Sequence, residues 1–340
     1  MNTLKYSIVL FSITLLSMVT GCGGKGSQKN ELSNFKVEDT ASIDKIFMAD
    51  KSNRKVLLTK ENGRWMVDNQ FPARVDLIND LMILLKRIEV KQYVPKTALE
   101  NVIKSLAVYS TKVEIYQNGK LTKTMYVGGP TQDHLGTYML LEGSSIPFIC
   151  YVPGFRGYLS PYFMPMPEEW RDRMIFAYHI NDIQKVKMEF VNLPDQSYEV
   201  LHDKGRFEIR LLKSNTPLHN FDTLAVKDWL KNFKTIGFES FLEVNKARLD
   251  SVTAKYGIYK ITVTQTDGKE RSVALYQIPL PPGTVDIYGR EEKIDVDRMY
   301  GILDGTTLVL CQYYTFDPVT VPVSFFLPSS ATSKNRKQHL

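Results

Sequence analysis

An internal repeat constrains this chain more than any other feature, because a module used twice must bury two cores rather than one. Ile43-Asp44-Lys45-Ile46 matches Ile183-Gln184-Lys185-Val186, and Asn62-Gly63-Arg64-Trp65-Met66-Val67 matches Lys204-Gly205-Arg206-Phe207-Glu208-Ile209. Each reads as strand, turn and strand, with Gly where a hairpin needs positive φ. Leu77, Ile78, Leu81, Leu84, Leu85 and Ile88 then recur at helical spacing, as do Val226, Trp229, Leu230 and Phe233, with Gly237 as the stop. A second helix carries Leu99, Val102, Ile103 and Leu106 in one half and Leu249 and Val252 in the other.

Paired strands complete both halves. Lys112 to Tyr116, a turn at Asn118-Gly119 and Leu121 to Val127 correspond to Lys260 to Thr264, a turn at Asp267-Gly268 and Ser272 to Tyr276. Tyr138 to Ser145 with a strand through Cys150 corresponds to Tyr300 to Thr307 with a strand through Cys311. The matches keep their order, and the length differences fall in loops, where insertions are tolerated best. The expected fold is α+β: two tandem repeated domains, 35–160 and 180–327, each an antiparallel sheet with helices packed on one face. Three prolines in Ser160 to Arg173 mark a linker over 161–179, and 328–340 is a polar tail.

The amino terminus sets the compartment. Lys5 precedes an uncharged run, Ser7 to Val19, of about 13 residues, the length of a signal-peptide core and too short to span a bilayer. The run ends in Val19-Thr20-Gly21-Cys22, which resembles the lipobox of bacterial lipoproteins. That resemblance implies a signal peptide over 1–21 and acylation of Cys22 with diacylglycerol and chains such as palmitate. Each buried methylene adds about 0.8 kcal/mol, so two or three chains anchor the protein almost permanently. Residues 22–34 are Gly-rich and polar and read as a flexible tether. They lack the acidic run that resembles a surface-export signal in lipoproteins of the Bacteroidetes type. The body is therefore expected to face the periplasm, with the outer membrane favoured over the inner.

Charge names no partner. Losing Lys5 lowers the formal +6 to +5, and basic residues alternate with acidic ones, which excludes a nucleic-acid footprint or polybasic patch. Three cysteines are few for an oxidising compartment. One is the anchor, and the repeat puts Cys150 and Cys311 in separate cores, where two free thiols are expected rather than a bridge.

Several of these residues also resemble an uncharacterised family of bacterial envelope lipoproteins, the domain of unknown function 4340. The resemblance rests on Phe35 to Ile46, Gly63-Arg64-Trp65-Met66-Val67, the Tyr138 to Ser145 hairpin and Trp170 to Phe176, and spans most of the mature chain. It implies an envelope assembly role, since some relatives look like auxiliary parts of ABC-type exporters linked to gliding, and it carries no catalytic residues.

No chemical motif competes with that expectation. His134, His179, His202, His219 and His339 are scattered, so no metal or other cofactor is expected. Gly-x-Ser-x-Gly is absent, and Gly128-Gly129-Pro130 lacks the following Gly-Lys-Ser/Thr of a phosphate loop and reads as a turn. Glu168-Glu169 and Glu291-Glu292 read as solvated charges. The unusual stretch is 151–170, where Tyr151, Phe155, Tyr158, Tyr162, Phe163 and Trp170 either pack a domain seam or form an interface or ligand platform. The expected function is thus not enzymatic: a membrane-anchored periplasmic scaffold or accessory subunit with an envelope protein partner. The alternative is a lipoprotein that captures a glycan, peptide or lipid between its two domains, stacking it on those rings.

Overall fold

The computed structural model describes residues 32–243 and 246–328. The export signal, Cys22, most of the tether, His339 with the polar tail, and the side chain of Val252 lie outside the described residues. Two compact units emerge, Met1–Lys55 with Asp80–Pro165, and Val56–Asn79 with Met166–Leu340.

The architecture is α+β and rests on two large, mostly antiparallel sheets. The first contains β1 (Ile43–Ala49), β2 (Lys55–Glu61), β3 (Arg64–Val67), β4 (Phe71–Pro72), β5 (Glu89–Tyr93), β6 (Thr111–Gln117), β7 (Lys120–Pro130), β8 (Thr137–Leu141) and β9 (Phe148–Tyr151). Its order is β4-β3-β2-β1-β6-β7-β8-β9-β5. β10 (Met174–Phe176) pairs with β15 (Ile236–Gly237) as a separate ribbon. The second large sheet contains β11 (Ile183–Phe190), β12 (Tyr198–Asp203), β13 (Arg206–Leu211), β14 (Thr216–Pro217), β16 (Ser240–Phe241), β17 (Gly257–Gln265), β18 (Glu270–Pro279), β19 (Ile294–Leu303) and β20 (Thr307–Gln312). Its order is β14-β13-β12-β11-β17-β18-β19-β20-β16. In both sheets a short edge strand comes from the chain between two helices, which are Val75–Arg87 and Lys96–Tyr109 in the first half and Thr223–Lys231 and Lys246–Lys255 in the second.

Helix placement corrects one expectation. Along β19, Met299 and Leu303 enter the main core with Trp229 and Leu230, whereas Tyr300 and Ile302 pack against Leu249. Successive strand residues point to opposite faces, so the two helices of this half cover opposite faces of their sheet, not one. The reason is legible in Met299-Tyr300-Gly301-Ile302-Leu303, an unbroken apolar run that needs cover on both sides. The Lys96–Tyr109 helix likewise sets Val102 and Leu106 against Ile149, whose neighbour Cys150 points the other way.

Other local readings also shift. Gly128 lies within β7, not in a turn, and a Cβ there would come 2.6 Å from Leu106 Cδ2 and 3.0 Å from the Tyr138 carbonyl. Glycine is required because the helix passes so close. Gly237 stops no helix, since it pairs with Met174, and the Thr223–Lys231 helix tightens into a 3-10 turn over Asn232–Lys234. The stretch expected as a linker is packed: Trp170, Ile175 and Phe176 are all buried. Its apolar side chains gain more from burial than a bare connector offers. Cys150 and Cys311 are free and buried, and burial pushes both thiols up, which leaves them protonated and inert.

Candidate functional site

The site begins with Trp170, buried at the end of the single-turn helix Pro167–Trp170. That anchor fixes the backbone of the next residues against β4. Arg74 N donates to Trp170 O and Asp172 N donates to Pro72 O, both at 2.8 Å, and Ala73 and Arg171 form an isolated bridge. All these residues belong to the second unit.

Arg171 is thereby held in an unusual position. Its guanidinium carbon lies 3.7 Å from the ring centroid of Phe71 and 4.0 Å from that of Phe241. Both cation-π contacts are well inside the range of about 6 Å at which the ring quadrupole attracts a cation. The hydrogen bonds of the guanidinium can form only in the plane of the group, through its N–H donors. No described residue accepts from them, and Nε is buried without a partner. Burial pulls the guanidinium below its ordinary value and the charge of Glu168 opposes this, yet an arginine stays charged at any physiological pH.

Arg171 lines a cavity of about 430 Å³, a size typical of small-ligand sites. Across it, Arg271 Nη1 lies 3.8 Å from Asp304 Oδ2, and Arg271 Nε is buried without a partner. Asp304 sits at the turn between β19 and β20 with φ 47° and accepts from Ser272 N at 2.8 Å. Tyr178 lines the same space, and burial raises its hydroxyl so that it remains a donor. Thr306 and Thr307 add hydroxyls, while Phe238, Met174 and Leu303 make the apolar wall. The arrangement suits recognition of an anion. Two arginines, two aspartates, neutral hydroxyls and apolar surface line the same space.

Set against protein families, characterised proteins and solved structures, the chain matches none. The site has to be read from its own chemistry.

A wider groove of about 710 Å³ near the start of β11 is less promising, because both nitrogens of its one imidazole are already engaged. His202 Nδ1 lies 2.9 Å from Ile183 O, Nε2 accepts from Gly205 N at 3.2 Å, and the ring stacks on Phe207. Among the described residues no group of three or more His, Cys, Asp or Glu is placed to hold a metal, and no helix is long and apolar enough to cross a membrane.

The six aromatics singled out in 151–170 do not form one platform. Phe163 and Trp170 are buried, so neither offers a surface. Tyr151 ends β9 opposite Glu89, and Tyr158 lies beside the His134 ring. Phe155 and Tyr162 meet edge to face over a hollow of about 160 Å³ in the first unit. Sequence reasoning missed Phe71, Arg171, Phe241 and Arg271. Arg171 stands in the quoted Trp170 to Phe176 motif, but its clamp comes from residues about a hundred positions before and seventy after it.

Proposed function

We propose that this chain is a membrane-tethered periplasmic lipoprotein acting, without catalysis, as a scaffold or accessory subunit of an envelope complex. The observation that carries the reading is Arg171, a charge held against two aromatic rings with no described residue accepting from its donors. Nature uses such a group to recognise a partner's acid, and it performs no bond chemistry by itself. The lipobox-like Val19-Thr20-Gly21-Cys22 and the polar stretch after it support anchoring. The resemblance to the domain of unknown function 4340 supports an assembly role, of the exporter or gliding kind.

We further infer that the two halves descend from one module. Their sheet orders correspond strand for strand, and each half opens with a hairpin whose Gly, Gly63 or Gly205, has φ near 80°. The hollow beside Phe155 and Tyr162 falls below the range of about 300–1,000 Å³ expected of a ligand pocket, which weighs against capture of a ligand on those two rings. Crosslinking in intact cells tests the role. An envelope protein should be recovered with the wild type and reduced with Arg171→Lys, and recovery of the chain alone in every growth condition would sink it. Cys22→Ser should move the protein from the membrane to the soluble fraction.

A further inference from the structure

Resting on the reading of this chain as a binding protein, we propose that the Arg171 cavity takes a single carboxylate carried next to an apolar group. An acidic side chain or a chain end flanked by an aromatic or aliphatic residue has this chemistry, as does a small aryl or alkyl acid.

Orientation is the first ground. With its central carbon 3.7 Å from the Phe71 ring centroid and 4.0 Å from that of Phe241, the guanidinium is restrained before any ligand arrives. Less rotamer freedom is then lost on binding. The exposed edge of a guanidinium presents parallel N–H bonds matched to two coplanar oxygens, the geometry of a carboxylate.

Satisfaction is the second. The buried Nε of Arg171 and that of Arg271 both lack partners. A buried donor left unpaired is costly, and a small side-chain adjustment that brings either Nε to an acceptor in the cavity removes that cost.

Charge is the third, and it decides between anions. Arg271 faces Asp304 at 3.8 Å, and the nearby Glu169 is occupied by Arg173 at 2.7 Å. Among the described residues no carboxylate pairs with Arg171, although Glu168 acts on it at longer range and the two arginines and two aspartates that line the cavity balance in formal charge. Asp172, which also lines the cavity and accepts from Met174 N at 3.1 Å, adds negative potential together with Asp304. Those two aspartates penalise a phosphate dianion more than a monoanion. The apolar wall of Phe238, Met174 and Leu303 then selects an acid with a hydrophobic neighbour.

The test uses the full chain purified in detergent, with 15N-arginine and the Nε–Hε resonances as readout. The probes are 3-phenylpropionate, its amide, the acetylated Phe-Glu dipeptide amide and inorganic phosphate. Both carboxylates should bind saturably and shift the Arg171 resonance, and the amide should be weaker by about tenfold or more. Tighter binding of the dipeptide marks a polypeptide ligand, and tighter binding of 3-phenylpropionate marks a free organic acid; either supports the site. Arg171→Lys keeps the charge but loses the paired edge and should weaken binding by about tenfold. Phe241→Leu, which removes one ring of the clamp, should weaken it several-fold and serves if the lysine variant does not fold. The proposal is overturned if the amide equals the acid, if phosphate binds more tightly than either carboxylate, if nothing saturates by about 10 mM, or if folded Arg171→Lys binds as wild type. A chain that binds the acids yet stays on the membrane after Cys22→Ser would sink the anchoring reading alone.

Discussion

β9 and β20 hold the same place in their sheets, and each carries a fully buried cysteine, but the chain that follows them is secured by opposite means. After β9, the backbone comes to a side chain. Thr137, which pairs with Cys150, is buried, and its Oγ1 accepts from Leu159 N at 2.7 Å, which fixes the loop that buries Leu159 and Phe163. After β20, side chains come to the backbone. Met299 pairs with Cys311, and Trp229 Nε1 and Tyr198 Oη donate to the carbonyls of Val319 and Val321, both at 3.0 Å. There Phe316, Val319 and Phe326 are buried. The contrast teaches that one strand slot can be closed by a single hydroxyl or by two aromatic donors. What is common is that the buried groups which close these two slots each find a partner.

The sharpest way to break this comparison is Trp229→Ala. Trp229 packs on Phe233, Phe326 and Tyr198 with centroids 5.1, 5.3 and 5.9 Å away, and its loss should cost about 3–5 kcal/mol in urea denaturation. A cost under about 1 kcal/mol would mean that the aromatic clamp does not hold the closing segment. Thr137→Val should come next, at about 1–3 kcal/mol, because it leaves Leu159 N buried without an acceptor in a site of unchanged shape. Faster proteolysis within 152–163 would localise the effect. Tyr198→Phe removes one neutral hydrogen bond and should cost about 0.5–1.5 kcal/mol, with the ring contacts kept. If it matched Trp229→Ala, the division of labour between the two donors would have to be reversed.

The smallest effect compares the outer edges of the sheets. Glu239, just before β16, accepts from Arg298 Nε and Gln312 Nε2 at 2.9 Å, and these bonds, the Arg298 one first, hold its carboxyl below the ordinary 4.5 despite opposing desolvation. A lowered carboxyl stabilises the fold above its ordinary value, and that stability is lost as pH falls through the lower folded one. Glu239→Gln should therefore cost less than about 1 kcal/mol near neutrality, and the gap to wild type should close below pH 4.5. On the first sheet, Glu89 of β5 meets Lys36 at 2.9 Å in solvent, and Glu89→Gln should cost less still near neutrality.

Much of the fold was readable because it is written locally. The apolar positions of the Val75–Arg87 helix, the Asn62-Gly63 and Lys204-Gly205 turns and the strands through Cys150 and Cys311 fall where periodicity puts them, since each depends on neighbours a few residues apart. Helix placement was not read correctly, although the buried run Met299 to Leu303 held the signal for a doubly covered sheet. The aromatic stretch misled for a different reason. Composition marks Phe163 and Trp170 as seeking contact, but cannot tell an internal partner from an external one.

By itself, the sequence determined the α+β class, the main helices and hairpins, and the expectations of free thiols at Cys150 and Cys311 and of a lipid anchor at Cys22, because these follow from local pattern and spacing. Only the tertiary structure decided that Arg171 meets both Phe71 and Phe241 beside a cavity. Those three residues meet because Trp170 is buried beside β4 and a two-residue strand docks on β20, and such long-range pairings leave no periodic trace in the chain.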